Sequence, residues 1–509
     1  MHILGTKKHL LALSAICGAS GMALEVSAAR LFAPHYGTST LVWSSVIGVV
    51  LLSLSLGYYL GGTLVEKHKD IRVLLLCILG AGLFTLAIPV LANTILELLT
   101  LDGSSRASLL NLSGGSLLAT ILLFGFPTML LGIVSPFILS LLTAQSGHLG
   151  NTSGQLFAVS TLGGLAGTFL PNLLLIPLVG TTWTILGIGA LLTLCGVWGI
   201  PTKKNKWYAV LAGVLLAATS TVRPASPNTV IAAAESPYQY IQIIEPTAGV
   251  RYMQFDSGFG FQSVYHTDTD PLQSIGTPEH EYTYYEFAAS IPALLPEKDH
   301  YSVLCIGLAG GTLPHALHAL YKDKVSITAV EIDSVATDLA KEYMGLRDIP
   351  LTIHHADGRP FLAHTSEKYD FIYVDAYQNE LQIPWQLTTQ EFWQLAEQRL
   401  APNGILGMNI AALGSKKSNL VAAIANTQAQ VFLFVYDAAL EERRNASHLL
   451  LASNQALTTK KTSDNKTVAA ILENLTPKLN RFYKDNSLPI LTDNHAPTEW
   501  IIAQDLSKQ

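Results

Sequence analysis

The chain has 509 residues, of which 49% are hydrophobic and only 13% are charged, and its formal net charge is −6. Soluble proteins carry about 25% charged residues, so this composition excludes an ordinary soluble protein over the whole length. No basic stripe of the kind that nucleic-acid binding requires is present. The four cysteines have spacings that predict neither a disulfide framework nor a metal site.

Charged residues are rare in the first 222 residues, which contain long apolar runs. A membrane span needs roughly 20 mostly apolar residues. We therefore expect an α-helical transmembrane domain over residues 1–222, in contact with the lipid bilayer. About seven spans are predicted, near residues 10–33, 41–62, 72–98, 113–142, 154–178, 182–200 and 207–222.

Two ionisable residues, Glu25 and Arg30, lie within the first predicted span. Ionisable groups inside a membrane usually face the interior of a helix bundle or a polar cavity. For Glu25, which lies deep in the span, we predict a structural, hydrogen-bonded role; a role in transport is the alternative. Arg30 lies near the end of the span, where its side chain can extend to the membrane interface.

Basic loops at Thr6–His9, Glu66–Arg72 and Lys203–Lys206 fall on one side of the membrane if every span crosses it. Positive charge near span ends marks the cytoplasmic side. The pattern predicts a multi-pass protein of the plasma (inner) membrane with a cytoplasmic N-terminus. After seven crossings, the C-terminal domain lies on the outer (periplasmic) side. If the short run 207–222 lies in the interface instead, that domain is cytoplasmic.

The composition becomes that of a globular domain after residue 222. Residues 223–236 are predicted to be a linker and residues 237–509 an α/β domain. Two alternating apolar patterns, Tyr238–Pro246 and Val250–Asp256, predict a small antiparallel β-hairpin at its start. Apolar runs then alternate with helical patterns, which predicts a Rossmann-type sheet with mostly parallel strands.

Four predicted strands end in residues that suit a ligand site: the loop Gly307–Gly311, then Glu331, Asp357 and Asp375. The carboxyl ends of parallel strands meet at one edge of a sheet, where ligands bind. Small residues let the backbone approach a ligand closely, and Glu331 is placed to accept hydrogen bonds from ribose hydroxyls. The alternative is that each acid only caps the next helix. We favour a nucleoside site.

The motifs "IGLAGGTLP", "VEID", "ADGRPFL", "YDFIYVDAY" and "LTDNHAPTEW" resemble the spermidine synthase family, aminopropyltransferases with a methyltransferase-like fold. The apolar half, with "LEVSAARLFAPHYGTS" and "STLGGLAGTFLPNLLLIPLVG", resembles the membrane-fused spermidine synthase-like proteins. The resemblance covers almost the whole chain. It implies transfer of an aminopropyl or related group to a small amine from an S-adenosylmethionine-type nucleoside. That nucleoside is a donor substrate, and no permanently bound cofactor is expected.

The resemblance also implies roles on the donor side. Gly307, Ala309 and Gly311 match the turn that faces the nucleoside. Glu331 matches the residue that binds the ribose, and Asp357 matches the acid that meets the adenine amino group. These five residues are our predicted donor-binding set.

On the amine side, Asp375 matches the catalytic acid that helps to deprotonate the attacking amine, and Tyr377 stands beside it. Gln262 and the stretch Tyr284-Tyr285-Glu286 match the segment that faces the polyamine, and we expect Glu286 to take part in catalysis.

Two positions depart from the family pattern. Gly310 replaces an acid of the glycine loop that holds the aminopropyl ammonium of the donor, and Gln378 replaces a second acid near Asp375. A polyamine carries several positive charges, and carboxylates placed close by favour its binding. The nucleoside half of the pattern is therefore better preserved than the amine half.

Two other functions stay open at this point. The fold can be reused for acid/base chemistry on an exported protein, peptide or lipid, with Asp375 and Glu331 as the working carboxylates. It can also be a non-enzymatic module that senses or transports polyamines. The sequence leaves open whether the chain forms a homo-oligomer.

Overall fold

A computed structural model of the chain describes residues 6–36, 40–99, 109–198, 229–256, 261–267, 284–377, 383–412, 418–440, 446–457 and 465–506. The chain divides into two compact units, Met1–Ser226 and Pro227–Gln509. The division falls close to residue 222, where the composition changes from apolar to mixed.

The described part of the N-terminal unit is almost entirely helical, with short non-helical connections at residues 68–70 and 147–148. Five of its helices are long and apolar enough to cross a membrane. Their long apolar faces and many glycines explain why they form a bundle, since small residues let helices approach closely in an apolar solvent. The helical segments are Lys7–Tyr36, Thr40–Lys67, Ile71–Leu99, Leu109–Thr120, Phe126–Ser146, Leu149–Leu170 and Ile176–Val197, with π-helical turns at Ile121–Gly125 and Pro171–Leu175.

The predicted count of seven spans is not confirmed. The predicted fifth span and most of the predicted sixth fall within one apolar stretch of 49 residues, Leu149–Val197. A straight helix of that length would measure about 74 Å, against about 30 Å for a bilayer core. The backbone at Gly180 is not helical (φ 83°, ψ 165°) and interrupts the stretch between the two predicted spans. The predicted seventh span, 207–222, lies outside the described residues.

Glycines set the distance between the helices of this unit. A Cβ on Gly163 or Gly167 would collide with the carbonyl oxygens of Ala15 and Ala19 on the first helix. The two helix backbones therefore touch without side chains between them, as in other membrane helix pairs. Glu25 and Arg30 both lie on this first helix, Lys7–Tyr36, where they are partly buried.

The C-terminal unit begins with a small antiparallel sheet of four strands, in the order β1-β2-β3-β4. The predicted hairpin is confirmed as β2 and β3, in which Ile243 pairs with Met253. Part of the segment predicted as a linker forms strand β1; its alanine-rich sequence has low intrinsic strand propensity, but pairing with β2 stabilises it. In chain order the strands are β1 (Val230–Glu235), β2 (Tyr240–Thr247), β3 (Val250–Phe255) and β4 (Ser263–His266).

A second sheet of eight strands forms the centre of this unit, in the order β12-β10-β11-β9-β8-β5-β6-β7. Strands β7, β6, β5, β8 and β9 are parallel neighbours, and β11 runs antiparallel between β9 and β10. This confirms the predicted methyltransferase-like Rossmann fold with a mixed sheet. In chain order these strands are β5 (Tyr301–Ile306), β6 (Val325–Val330), β7 (Leu351–His354), β8 (Tyr369–Val374), β9 (Leu400–Ala412), β10 (Phe434–Ala439), β11 (Ala446–Ser453) and β12 (Leu479–Phe482).

Helices cover both faces of the large sheet, so its central strands are apolar on both sides, as expected for buried parallel strands. Val303 and Cys305 of β5 belong to one hydrophobic cluster, and Leu304 and Ile306 belong to another. The first cluster includes the small sheet and helices Tyr284–Ser290, Thr312–Tyr321, Ser334–Tyr343 and Lys466–Leu475. The second includes helices Gly358–His364, Gln390–Arg399, Asn419–Gln428 and Thr498–Leu506.

The glycine contact between the first helix and Leu149–Leu170 gives a stability prediction. We expect Gly167→Ala to destabilise the full chain in detergent by about 1–3 kcal/mol, the usual cost of overpacking. Gly154→Ala, on the same helix, is the matched control because a Cβ there would meet no described neighbour within 4 Å. Thermal unfolding of both variants is the measurement. Equal stability of the two would contradict the close approach.

Candidate active site

The glycine loop, Glu331, Asp357 and Asp375 lie close together because the strands that precede them end at the same height in the sheet. Ile306 at the end of β5 pairs with Val330 on β6 and with Val374 on β8. Val330 in turn pairs with His354 on β7. The residues that follow these four strand ends therefore share one edge of the sheet, which is where ligands of parallel sheets bind.

A cavity of about 480 Å³ opens at this edge, within the usual range of small-molecule sites. Of the predicted residues it brings together Gln262, Tyr285, Gly307, Ala309, Glu331, Asp357, Asp375 and Tyr377. Gly311 does not line the cavity but caps the next helix with φ 83°. Glu286 is buried and does not line it either. Gln378 lies outside the part of the chain that the structure describes.

Gly307 is required by a close approach between two strand ends. Its φ is 92°, a conformation that favours glycine. A Cβ at this position would collide with the carbonyl oxygen of Asp375. The Asp375 N–H also donates to the carbonyl of Ile306 at 2.9 Å. The glycine turn and the predicted catalytic carboxyl are thus held directly beside each other.

Glu331 holds the glycine loop in place. Its Oε2 accepts hydrogen bonds from the N–H groups of Leu308 (2.9 Å) and Ala309 (3.1 Å), and its Oε1 accepts one from Asp333 (3.0 Å). Ala309 has φ 45°, a left-handed conformation that costs a non-glycine residue about 1–3 kcal/mol. Burial raises the pKa of Glu331, and the three amide donors oppose that rise.

Asp357 caps a helix and also lines the cavity. Its Oδ1 accepts a hydrogen bond from the Arg359 N–H at 2.9 Å, so it caps the helix Gly358–His364. The same residue lines the cavity. A carboxylate accepts up to about four hydrogen bonds, so capping leaves Oδ2 able to bind an N–H donor of a ligand.

Asp375 is the group whose chemistry stands out. Burial raises its pKa to about 7, and a hydrogen bond from Asn409 Nδ2 to Asp375 Oδ1 (3.2 Å) opposes that rise. Burial raises the pKa of the Tyr284 and Tyr285 hydroxyls, and the nearby negative charge of Asp375 raises both pKa values further. A carboxyl with a pKa near the working pH is suited to act as a general base.

The predicted amine side is only partly available to a ligand. The Oε1 of Gln262 accepts a hydrogen bond from the Phe255 N–H at 2.7 Å, so its acceptor atom is already engaged. The Tyr285 hydroxyl donates to the backbone carbonyl of Gln262. The Tyr377 hydroxyl donates to the Asn409 carbonyl at 2.9 Å. These groups shape the wall of the cavity more than they present free acceptors.

Gly310, the first departure from the family pattern, is pressed against the small sheet. A Cβ at Gly310 would lie 2.6 Å from the Cβ of Ser263 and 2.9 Å from the Cε of Met344. Its N–H donates to the Ser263 hydroxyl at 2.8 Å. An acidic side chain does not fit here, so the missing carboxylate is a consequence of how β4 packs on the loop.

Sequence reasoning missed Tyr373, Asn409 and Ser447, which also line the cavity, as does Tyr284 of the predicted amine-side stretch. Tyr373 has the pattern of a core residue in an apolar strand. Asn409 and Ser447 stand on β9 and β11, far along the chain from the motifs. A polar residue inside an apolar strand, such as the asparagine of "GILGMNI", is the signal that could have identified Asn409.

These features define a class: a methyltransferase-like α/β domain with a small-molecule cavity and a buried carboxyl group of raised pKa at the edge of its sheet. The family model of the spermine/spermidine synthase domain matches residues 281–440. A probable polyamine aminopropyl transferase of Bifidobacterium longum is 30% identical over 331 residues, which cover 60% of this chain and 70% of the relative. The chain therefore belongs to the polyamine aminopropyltransferase family, and the prediction of a transferase of this type is confirmed.

Two further similarities concern the extent of the match. The polyamine aminopropyltransferase 1 of Streptomyces coelicolor is 24% identical over 446 residues, 79% of this chain and 76% of the relative. The C-terminal unit is little more than half of the chain, so this similarity extends into the apolar half. The crystal structure of a probable spermidine synthase from Corynebacterium glutamicum matches with a TM-score of 0.39 and 19% identity, over 52% of this chain and 96% of that chain.

The environment of Asp375 predicts a titration that needs no substrate. We expect the protonated Asp375 carboxyl to give an infrared C=O band that disappears with a midpoint near pH 7, because burial raises its pKa to about 7. Asn409→Leu removes a hydrogen bond that favours the ionised form, so the midpoint should move to higher pH. Difference spectra against Asp375→Asn assign the band. A midpoint near the ordinary aspartate value, or no change in Asn409→Leu, would contradict this account.

Proposed function

We propose that this chain transfers an aminopropyl group from a decarboxylated S-adenosylmethionine-type nucleoside to an amine. The observation that carries the proposal is the position of Asp375: a buried carboxyl with a pKa of about 7, beside the glycine loop and inside the cavity. Family membership supports the same reaction.

The donor end of the cavity suits a nucleoside. Glu331 uses three of its roughly four acceptor positions for backbone amides. One acceptor position is left for a ribose hydroxyl. Asp357 keeps Oδ2 for an exocyclic amino group, as its Oδ1 caps a helix. The two carboxylates follow neighbouring strands, β6 and β7, so they can bind two ends of one ligand.

The chemistry follows from this placement. The acceptor nitrogen attacks the methylene carbon next to the sulfonium, a C–N bond forms, and the C–S bond breaks with its electron pair on sulfur. The leaving thioether is neutral and needs no acid. The proton that the nitrogen loses passes to Asp375, whose pKa of about 7 lets it accept a proton near neutral pH. Much of the remaining rate comes from holding the two substrates together.

Asp375→Asn tests the reaction. We expect turnover of the full chain with decarboxylated S-adenosylmethionine and putrescine to fall by about 10²–10⁴-fold, the usual contribution of a positioned acid–base group. Affinity for methylthioadenosine, measured by calorimetry, should stay near that of the wild type because the donor end is unchanged. Glu473→Ala, an exposed glutamate on Lys466–Leu475, is the control for charge removal. Unchanged turnover in Asp375→Asn would remove this residue from the mechanism.

Membrane association rests on the five helices that are long and apolar enough to span a bilayer. We infer the side of the C-terminal unit from the basic loops, two of which, Thr6–His9 and Glu66–Arg72, lie two helices apart and so on the same side. Positive charge marks that side as cytoplasmic. With a crossing helix over 207–222, the C-terminal unit is external.

Protease added to intact spheroplasts tests this arrangement. We expect release of a soluble C-terminal fragment, since the charge pattern and the seven predicted crossings favour an outside location for this unit. A cytoplasmic marker protein must stay intact in the same sample. Protection of the fragment until lysis would place the unit in the cytoplasm, where nucleoside donors are made. Release of the fragment, together with failure of the transfer assay, would favour acid/base chemistry on an exported substrate.

A further inference from the structure

Two buried polar atoms at the wall of the cavity have no hydrogen-bond partner within the described residues: the Tyr373 hydroxyl and the Asn409 Oδ1. Tyr373 is 1% exposed and Asn409 is 6% exposed. Most buried polar groups are hydrogen-bonded, and one that is not costs free energy. Unpaired atoms that line a ligand cavity are therefore expected to bind the ligand.

Both atoms belong to residues next to Asp375. Tyr373 precedes Asp375 by two positions at the end of β8, so both side chains point to the same face of the sheet. The charge of Asp375 adds to burial in raising the pKa of Tyr373. The Asn409 Nδ2–H donates a hydrogen bond to Asp375 Oδ1 at 3.2 Å. The other atom of the amide group, Oδ1, takes no part in this hydrogen bond. The Tyr373 hydroxyl and the Asn409 amide thus lie beside Asp375 at the wall of the cavity.

Other hydroxyls around Asp375 are already engaged. The Tyr377 hydroxyl donates to the Asn409 carbonyl and accepts from the Ala411 N–H at 3.0 Å. The Tyr285 hydroxyl donates to the Gln262 carbonyl. Tyr373 therefore differs from these two neighbours in that its hydroxyl has no hydrogen-bond partner among the described residues.

We propose that Tyr373 is a positioning residue for the acceptor and that it selects primary amines. This inference rests on the proposed function. A primary ammonium has three N–H donors, and Asp375, Asn409 Oδ1 and the Tyr373 hydroxyl supply three acceptors. When the proton passes to Asp375, the other two N–H groups stay bound to Asn409 and Tyr373. The nitrogen lone pair is then held in one direction, toward the donor carbon.

A comparison of two acceptors tests the selection. Putrescine offers primary nitrogens, whereas in N,N′-dimethylputrescine each nitrogen has lost one N–H donor. We expect the wild type to prefer putrescine by about tenfold or more in kcat/KM, because one buried acceptor is left unpaired by the methylated amine. In Tyr373→Phe the third acceptor is absent, so the ratio should fall toward one while kcat/KM for putrescine falls about tenfold.

Tyr369→Phe is the matched control. Tyr369 is fully buried on the same strand, does not line the cavity, and donates its hydroxyl to Glu367 at 2.9 Å. It should keep the wild-type ratio. Methylthioadenosine affinity checks that Tyr373→Phe is folded, and equal losses for both amines in that variant would show a merely structural role and overturn the inference. If the wild type transfers to neither amine, the proposed function itself fails, and the inference fails with it.

Discussion

The carboxylate of Glu331 fixes the ligand edge of the α/β unit. It accepts hydrogen bonds from two successive amides of the glycine loop and from Asp333, which begins the next helix. The loop after β5 and the end of β6 are thereby joined through one side chain. These bonds also hold Ala309 in a left-handed conformation that the chain would otherwise avoid. Because a buried carboxylate is costly unless it is hydrogen-bonded, its three amide donors stabilise the charge as well as the loop.

The small antiparallel sheet closes the cavity from the other side. Ser263 accepts from the Gly310 N–H, and Thr312 bonds to both the N–H and the carbonyl of Val264. At the opposite end of the sheet, Ser236 donates to Asp333 at 2.6 Å. The first strands of the unit are thus attached to the two loops that carry the predicted donor-binding residues, although the strands are distant from these loops along the chain. The site is a product of both sheets.

The strands and the acids at their ends could be predicted from the sequence because each depends on a local pattern. Apolar runs fix strands such as Tyr301–Ile306, and the residue after each run must lie at the edge of the sheet. Asn409 and Tyr373 could not be predicted this way. Their roles depend on β9 lying beside β8, a pairing that no short motif contains. For Glu286 the sequence predicted too much. The family resemblance implies a position at the cavity, but Glu286 does not line the cavity in the structure.

The helical half shows a similar limit. Span length and apolarity are properties of the sequence, and the first six predicted spans all overlap described helical segments. Gly180 is different, since a glycine in an apolar run is compatible with either a continuous helix or a break. The outcome depends on packing against other helices, which the pattern of apolar residues does not encode. The predicted linker failed at Val230–Glu235 for the same reason, because β2 supplies the pairing.

The contact between Gly310 and Ser263 constrains how this chain can change over evolutionary time. An acid introduced at position 310 alone would meet the Cβ of Ser263 at 2.6 Å and would displace a strand that the donor loop relies on. A smaller residue at position 263 would have to come first, and it would lose the hydrogen bond to the loop before any benefit appeared. The two positions therefore form an epistatic pair, in which the order of substitution matters. An acid at position 310 is thus compatible with the present loop geometry only together with a change at position 263.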